Sequence, residues 1–192
     1  MTRITAPMIC LSIALITISA AHAELKFTPL FDGKSLDGWT VLRCEAEVNE
    51  GNILLKAGNG VVHTNKQYGD FVLEFEWKAL REKGYDSGIY FRCELPKGKS
   101  PWPARYQANL RQGQEGNVGG VKGATSKGLV KAGQWNHFRL AVKGTAVSLK
   151  INGKPAYKAD GIQQAKGYIC LQAEIPGGGQ FRFRNVRIAE PE

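Results

Sequence analysis

Apolar and polar residues alternate most regularly across residues 68–94, YGDFVLEFEWKALREKGYDSGIYFRCE. Phe71, Leu73, Phe75 and Trp77 alternate with Val72, Glu74 and Glu76, the period of two of a strand with one buried face. After a polar loop at 81–85 the pattern resumes, with Ile89, Phe91 and Cys93 on one face and Gly88, Tyr90, Arg92 and Glu94 on the other. This reading makes Cys93 a buried, inert thiol in the Ile89, Phe91 core series. If the two strands share a sheet, Glu74, Glu76, Tyr90 and Arg92 share its non-core face. Such a group costs less on a solvated or ligand-lined face than in a core.

The same pattern recurs in short segments along the chain. Residues 47–56 hold a hairpin turn at 50–52, and 61–64 lead into the central pair. Residues 105–110 (RYQANL) alternate again. Residues 135–143 and 146–151 are divided by Gly144-Thr145, and Asn152-Gly153 is a strong two-residue turn into 154–158. Residues 168–174 and 180–188 close the series. No long segment has a 3.6-residue period. Many short strands with Gly- and Asn-rich turns predict an all-β antiparallel sandwich or jelly roll. Near the start, Phe31, Leu36 and Trp39 should face inward from a short hook, and Asp32 before Gly33 reads as a turn closer.

Two loops stand apart. Residues 96–104 (PKGKSPWPA) are basic and Pro-stiffened, and place Trp102 in an exposed setting. Residues 113–123 (GQEGNVGGVKG) are glycine-rich but lack the Gly-Lys-Ser/Thr ending of a phosphate loop, and read as a plain loop.

Composition changes this picture at the N-terminus first. Arg3, the apolar run 8–20 and Ala21-His22-Ala23 predict a secretory signal peptide over 1–23, cut before Glu24. The run is too short for a confident membrane span. Residues 24–192 then form one exported domain, periplasmic or extracellular, with no span. The net charge of +9 could suggest nucleic acid. Export and the scatter of Lys and Arg argue against that partner and point to solubility or to acidic envelope polymers. Beyond Cys10 in the leader, Cys44, Cys93 and Cys170 allow at most one bridge, and nothing in their spacing specifies a pairing of Cys44 or Cys170 or a metal site.

The motifs PLFDGKSLDGW (29–39), GDFVLEFEWK (69–78), DSGIYFR (86–92), GQWNHFRLAVKG (133–144), INGK (151–154) and LQAE with FRFRNVRI (171–188) run in one order. In this the chain closely resembles the 3-keto-disaccharide hydrolase domain family, across essentially all of residues 24–192. The resemblance implies a concanavalin A-like jelly roll and glycoside chemistry in the cell envelope. Residues 105–110 match the strand where the family usually carries Glu-x-Gln. Here that position reads Gln107-Ala108-Asn109, an amide in place of a carboxylate that could titrate. Leu-Gln-x-Glu at 171–174 is one of two family variants.

Alternation projects Gln107 and Asn109 away from Tyr106, Ala108 and Leu110, and Gln172 and Glu174 away from Leu171 and Ala173. It thereby places Glu74, Glu76, Arg92, Gln107, Asn109, Gln172 and Glu174 on one polar face. His137, beside the core pattern Phe138, Leu140 and Val142, reads as structural. An ordinary glycosidase needs two carboxylates, which Glu74, Glu76 and Glu174 could furnish. The resemblance implies another route, in which a ketone at C3 acidifies the C2 proton and the C1 substituent is eliminated. For it the expected roles are Glu174 or Glu76 as base, Arg92 as electrostatic stabiliser, and Glu74, Gln107, Asn109 and Gln172 as hydroxyl-binding groups. Tyr90 and Trp102 would stack on the sugar. The acidic side chains could hold a divalent metal, although no ligand spacing specifies one. A non-catalytic carbohydrate-binding module is the alternative, because this fold hosts lectins as well as enzymes. A structural envelope protein held on acidic glycan is a third.

Overall fold

The computed structural model describes residues 25–191, so the expected leader lies outside the described residues. Eleven strands follow in order among the described residues: β1 (Thr28–Pro29), β2 (Trp39–Asn49), β3 (Asn52–Thr64), β4 (Phe71–Ala79), β5 (Gly88–Cys93), β6 (Gln107–Asn109), β7 (Asn136–Lys143), β8 (Ala146–Ile151), β9 (Lys154–Asp160), β10 (Tyr168–Ile175) and β11 (Phe181–Ala189). Among the described residues no helix is long and apolar enough to cross a membrane.

The strands pair antiparallel in a curled sheet of order β6-β5-β10-β3-β11-β4-β7-β8-β9, with β2 along β3 and β1 along β11. The curl is made at the β2–β3 hairpin. Residues 53–55 of β3 pair with β11, whereas residues 58–63 pair with β10, so one strand serves both halves. Around this junction the β2 register shifts at Leu42/Cys44 and at Glu45/Ala46, and Arg43 takes a left-handed φ of 59°. A Cβ on Gly60 would overlap the Leu42 carbonyl oxygen. Only glycine lets the two backbones approach this closely at the corner. The result is the antiparallel jelly roll that the strand pattern predicts.

The core lies between the two halves. Phe71, Leu73, Phe75 and Trp77 of β4, Phe138, Leu140 and Val142 of β7, and Ile169, Leu171 and Ala173 of β10 all join one buried cluster. Phe91 of β5 stacks on Tyr106 with centroids 6.0 Å apart. Burying each such side chain contributes about 1.5–3 kcal/mol. Trp39 and Phe31 are buried as expected, and Leu36 packs against them. Asp32 Oδ1 accepts from the Lys34 and Ser35 amides at 2.8 and 2.9 Å, closing its turn.

One strand departs from simple alternation. Arg92 adopts φ 45°, and β5 changes register against β10 between Tyr168 and Cys170. The reversal swings Arg92 inward and sends Cys93 to the outer side, into a small cluster with Tyr90, Val61 and Cys170. Cys93 is buried as expected, but it does not continue the Ile89, Phe91 core series.

Candidate functional site

The seven polar residues expected on one face separate into three places. Glu74 and Glu76 lie on the outer side of the β11-β4-β7 half. Glu74 sits between Arg139 and Arg187 in register, and Glu76 between His137 and Arg184. Glu74 accepts from Arg139 and from Arg187 Nε at 2.8 Å, and Glu76 from Arg184 Nε at 2.6 Å. Arg184 in turn lies over the Trp135 ring, 4.0 Å from its centroid. Burial pushes the Glu74 carboxyl up, but the hydrogen bonds from Arg187 and Arg139 outweigh it and hold the group below its ordinary range. Both carboxylates are paired with arginines, and their placement is corrected: they lie on a different surface from the other polar residues, where with His137 and Asn185 they line a cleft of about 400 Å³.

Arg92 is corrected as well. Only 1% exposed, it donates to the carbonyls of Gly69 (2.8 Å), Gly144 (2.6 Å) and Gln164 (3.0 Å) and to Asp70 Oδ1 (2.6 Å). Asp70 Oδ1 also accepts the Gly144 amide at 2.8 Å. The guanidinium is a clamp on three loops, with no access to a substrate.

Gln107, Asn109, Gln172 and Glu174 do come together, on the outer side of the β6-β5-β10 half. Gln107 Nε2 donates to Gln172 Oε1, and Gln172 Nε2 donates to Glu174 Oε2 at 3.1 Å. The Gln107 amide lies flat over Gly88, where a Cβ would overlap it. Asn109 Oδ1 accepts the Arg111 amide at 2.6 Å. The amide row thus ends on one carboxylate.

A second carboxylate, Asp86, which strand alternation does not pick out, lies near enough for its charge to act on Glu174. Asp86 precedes β5, and Arg111 Nε lies 3.7 Å from its Oδ2. Gly178 packs so closely on Asp86 that a Cβ there would overlap the Asp86 carbonyl, while a Cβ on Gly177 would make only ordinary contact with Glu174. The 177–179 glycine turn ties the backbone of the two acidic residues together, the Gly178 amide donating to the Glu174 carbonyl and the Asp86 amide to the Gly178 carbonyl at 3.0 Å. Burial pushes Glu174 above its ordinary carboxylate value, the nearby Asp86 charge adds to the rise, and Arg111 opposes it. Burial also raises Asp86, against Arg111 and Arg81. Two carboxyls whose proton affinity is raised by burial, with amides and one guanidinium near them, are the groups of this surface suited to acid–base work.

The remaining expectations are partly revised. Tyr90 is buried under this surface, with little of its ring free to stack. Trp102 is half-buried rather than exposed; its indole N–H donates to the Ala173 carbonyl at 2.9 Å, and it packs against the cluster of Val61, Tyr90, Cys93 and Cys170. It also lines a cleft of about 320 Å³ with Lys97 and Arg105. The glycine-rich loop is more than a connection. With Gln107 and Asn109, its Gln114, Asn117, Gly120 and Lys122 enclose a cleft of about 540 Å³. The loop is pinned by Asn109–Asn117 backbone pairing and by Tyr157 Oη donating to Gly116 O at 2.7 Å. No signal short of the fold shows that it walls a cleft. Among the described residues, no three His, Cys, Asp or Glu side chains gather into a group that could hold a metal.

The sequence profile of the 3-keto-alpha-glucoside-1,2-lyase-like domain matches residues 26–189. A search of curated proteins finds no match. Among solved structures, a candidate glycosyl hydrolase from Parabacteroides distasonis superposes with TM-score 0.68 at 22% identity, covering 86% of this chain and 100% of that one. The carbohydrate-binding module CBM66 from Bacillus subtilis gives 0.64 at 15%, covering 80% and 96%. A β-glucanase from Bacillus licheniformis gives 0.56 at 14%, covering 88% and 99%. At these identities the structural likeness speaks for the fold.

Proposed function

The chain belongs to the 3-keto-alpha-glucoside-1,2-lyase-like domain family, and from that premise we propose that it cleaves glycosides carrying a ketone at sugar C3. The observation that carries this reading is the Gln107–Gln172–Glu174 row ending beside Asp86. Amides that both donate and accept match sugar hydroxyls. Glu174 removes the C2 proton, which the adjacent ketone has acidified, and the electron pair passes to the C3 oxygen as an enolate. Arg111 and the amides stabilise that oxygen. The enolate re-forms the ketone as the C1–O bond breaks, and the departing oxygen takes a proton from Asp86. Water adds at C1 of the resulting enone and C2 regains a proton, so the sum is hydrolysis. Release before water adds would leave the enone as product.

The test compares a C3-oxidised disaccharide with its unoxidised parent, each labelled with deuterium at C2. Cleavage of the keto-sugar alone, with label lost to solvent and activity abolished by Glu174→Gln, supports elimination. Cleavage of the parent with the label retained would show ordinary two-carboxylate hydrolysis instead.

A second reading, a carbohydrate-binding module, is favoured by one feature. Gln107 stands where the family usually has a carboxylate, and its amide is tied to Gln172. Binding of keto-sugar without turnover would establish it. We also propose export with cleavage after Ala23, on the leader-like pattern of residues 1–23; N-terminal sequencing of the secreted chain tests it.

A further inference from the structure

Cys93 and Cys170 stand apart from the amide row and the carboxylates. They sit on β5 and β10, neighbouring antiparallel strands, 77 residues apart in sequence. Their sulfurs are 3.2 Å apart, in a pocket closed by Tyr90, Val61 and Trp102. Neither is open to solvent, at 1% and 0% exposure. Cys93 Sγ also lies 3.4 Å from the Tyr168 carbonyl. Cys44 is elsewhere, half-buried on β2, its thiol pushed up to about 11 by burial.

We infer that Cys93 and Cys170 are the site of a cross-strand disulfide, closed as the exported chain folds. The geometry brings two sulfurs to within about 1.2 Å of the roughly 2.05 Å bond length, with a register shift in the strand pair at that point to absorb the movement. The inference draws on the export proposed above, because an oxidising compartment sustains such a bond. Both thiols are sealed in the folded sandwich, so closure takes place before the outer cluster packs. A Cys93 thiolate attacks one sulfur of a small disulfide or of an oxidoreductase's disulfide, expelling the other sulfur as a thiol. Cys170 then attacks the Cys93 sulfur of the mixed disulfide, and the second carrier sulfur leaves as a thiol. Two protein thiols are oxidised while one carrier disulfide is reduced to two thiols, and the two protons end on the carrier.

The bond would staple the strand that opens after Asp86 to the strand bearing Gln172 and Glu174. It would fix the spacing of the carboxylates without touching a substrate.

The test uses the purified chain of residues 24–192, refolded in mixed reduced and oxidised glutathione, so its outcome does not depend on where the protein resides or what it cleaves. After denaturing alkylation, the expected product carries label on Cys44 alone and has a mass about 2 Da below that of three free thiols before labelling. Peptide mapping should show a 93–170 crosslink, unchanged in Cys44→Ser and lost in Cys93→Ser. Reduction should lower Tm by about 4–16 °C. Folded wild-type protein with all three cysteines alkylated, or a crosslink that uses Cys44, overturns the inference. Neither readout requires the Cys93→Ser variant to fold.

Discussion

The side chain of Gln107 lies across the face of Gly88, in the space that any Cβ at position 88 would occupy. The glycine is thus part of the amide row, because it gives Gln107 the room to reach Gln172. Its φ lies outside the left-handed region, so the requirement is space alone.

Gly88→Ala should therefore displace the Gln107 amide while costing less than about 1.5 kcal/mol of stability, the scale of one hydrogen bond. Sugar affinity or turnover should fall several-fold, and adding Gln107→Ala should cause little further loss. Titration calorimetry and kinetics on the single and double variants check this. Additive losses would mean that the two residues act separately.

Glu174 offers a test by pH. Its folded value is raised above the ordinary 4.5, so the native state holds the proton more tightly than the unfolded chain. The contribution is fully present below 4.5 and is lost as pH rises through the folded value. Glu174→Gln should remove that slope and be at least as stable as the parent at neutral pH, while turnover is abolished. Urea denaturation across this window measures it, with Asp86→Asn as the companion variant.

Arg92→Lys keeps the charge but loses the fork that reaches three carbonyls and Asp70. It should destabilise the protein by about 2–4 kcal/mol, since buried acceptors lose their donors. Equilibrium denaturation reads the loss. If the proposed activity holds, the protein that remains folded should keep its KM.

Glu74 and Glu76 should behave as structure rather than chemistry. Glu76→Gln removes a partly exposed pair with Arg184 and should cost about 0–1 kcal/mol with kcat/KM unchanged. Glu74→Gln should cost more, because it leaves Arg139 and Arg187 without their shared carboxylate. Its depressed value means that the wild-type contribution is present above 4.5 and is lost as pH falls through the lower folded value. The Gln variant should therefore flatten the acid side of the stability curve.

Much of this architecture is legible in the chain. Alternation alone gives the inward sets of β4, β6, β7 and β10, because large apolar residues have one side available to them. It also turns Gln107, Asn109, Gln172 and Glu174 outward correctly. Alternation sorts residues within a strand into two sides, but a sandwich has two outer surfaces, and the pattern does not say to which a strand contributes. Glu74 and Glu174 are both outward, on opposite surfaces. Arg92 fails for a different reason: a single left-handed residue reverses the pleat, and no composition signal marks it. Asp86 was hidden because it lies just outside a strand, where period-two reasoning assigns no side.

The Arg92 clamp also has a kinetic meaning. Its acceptors lie 22 to 72 residues away in sequence, at the β3–β4, β7–β8 and β9–β10 connections. The clamp closes only after these distant connections have met, which places it late in assembly. Loss of such a contact is felt chiefly by the native side of the barrier. Weakening Arg92 should hasten unfolding far more than it slows folding, shortening the lifetime of the native sandwich.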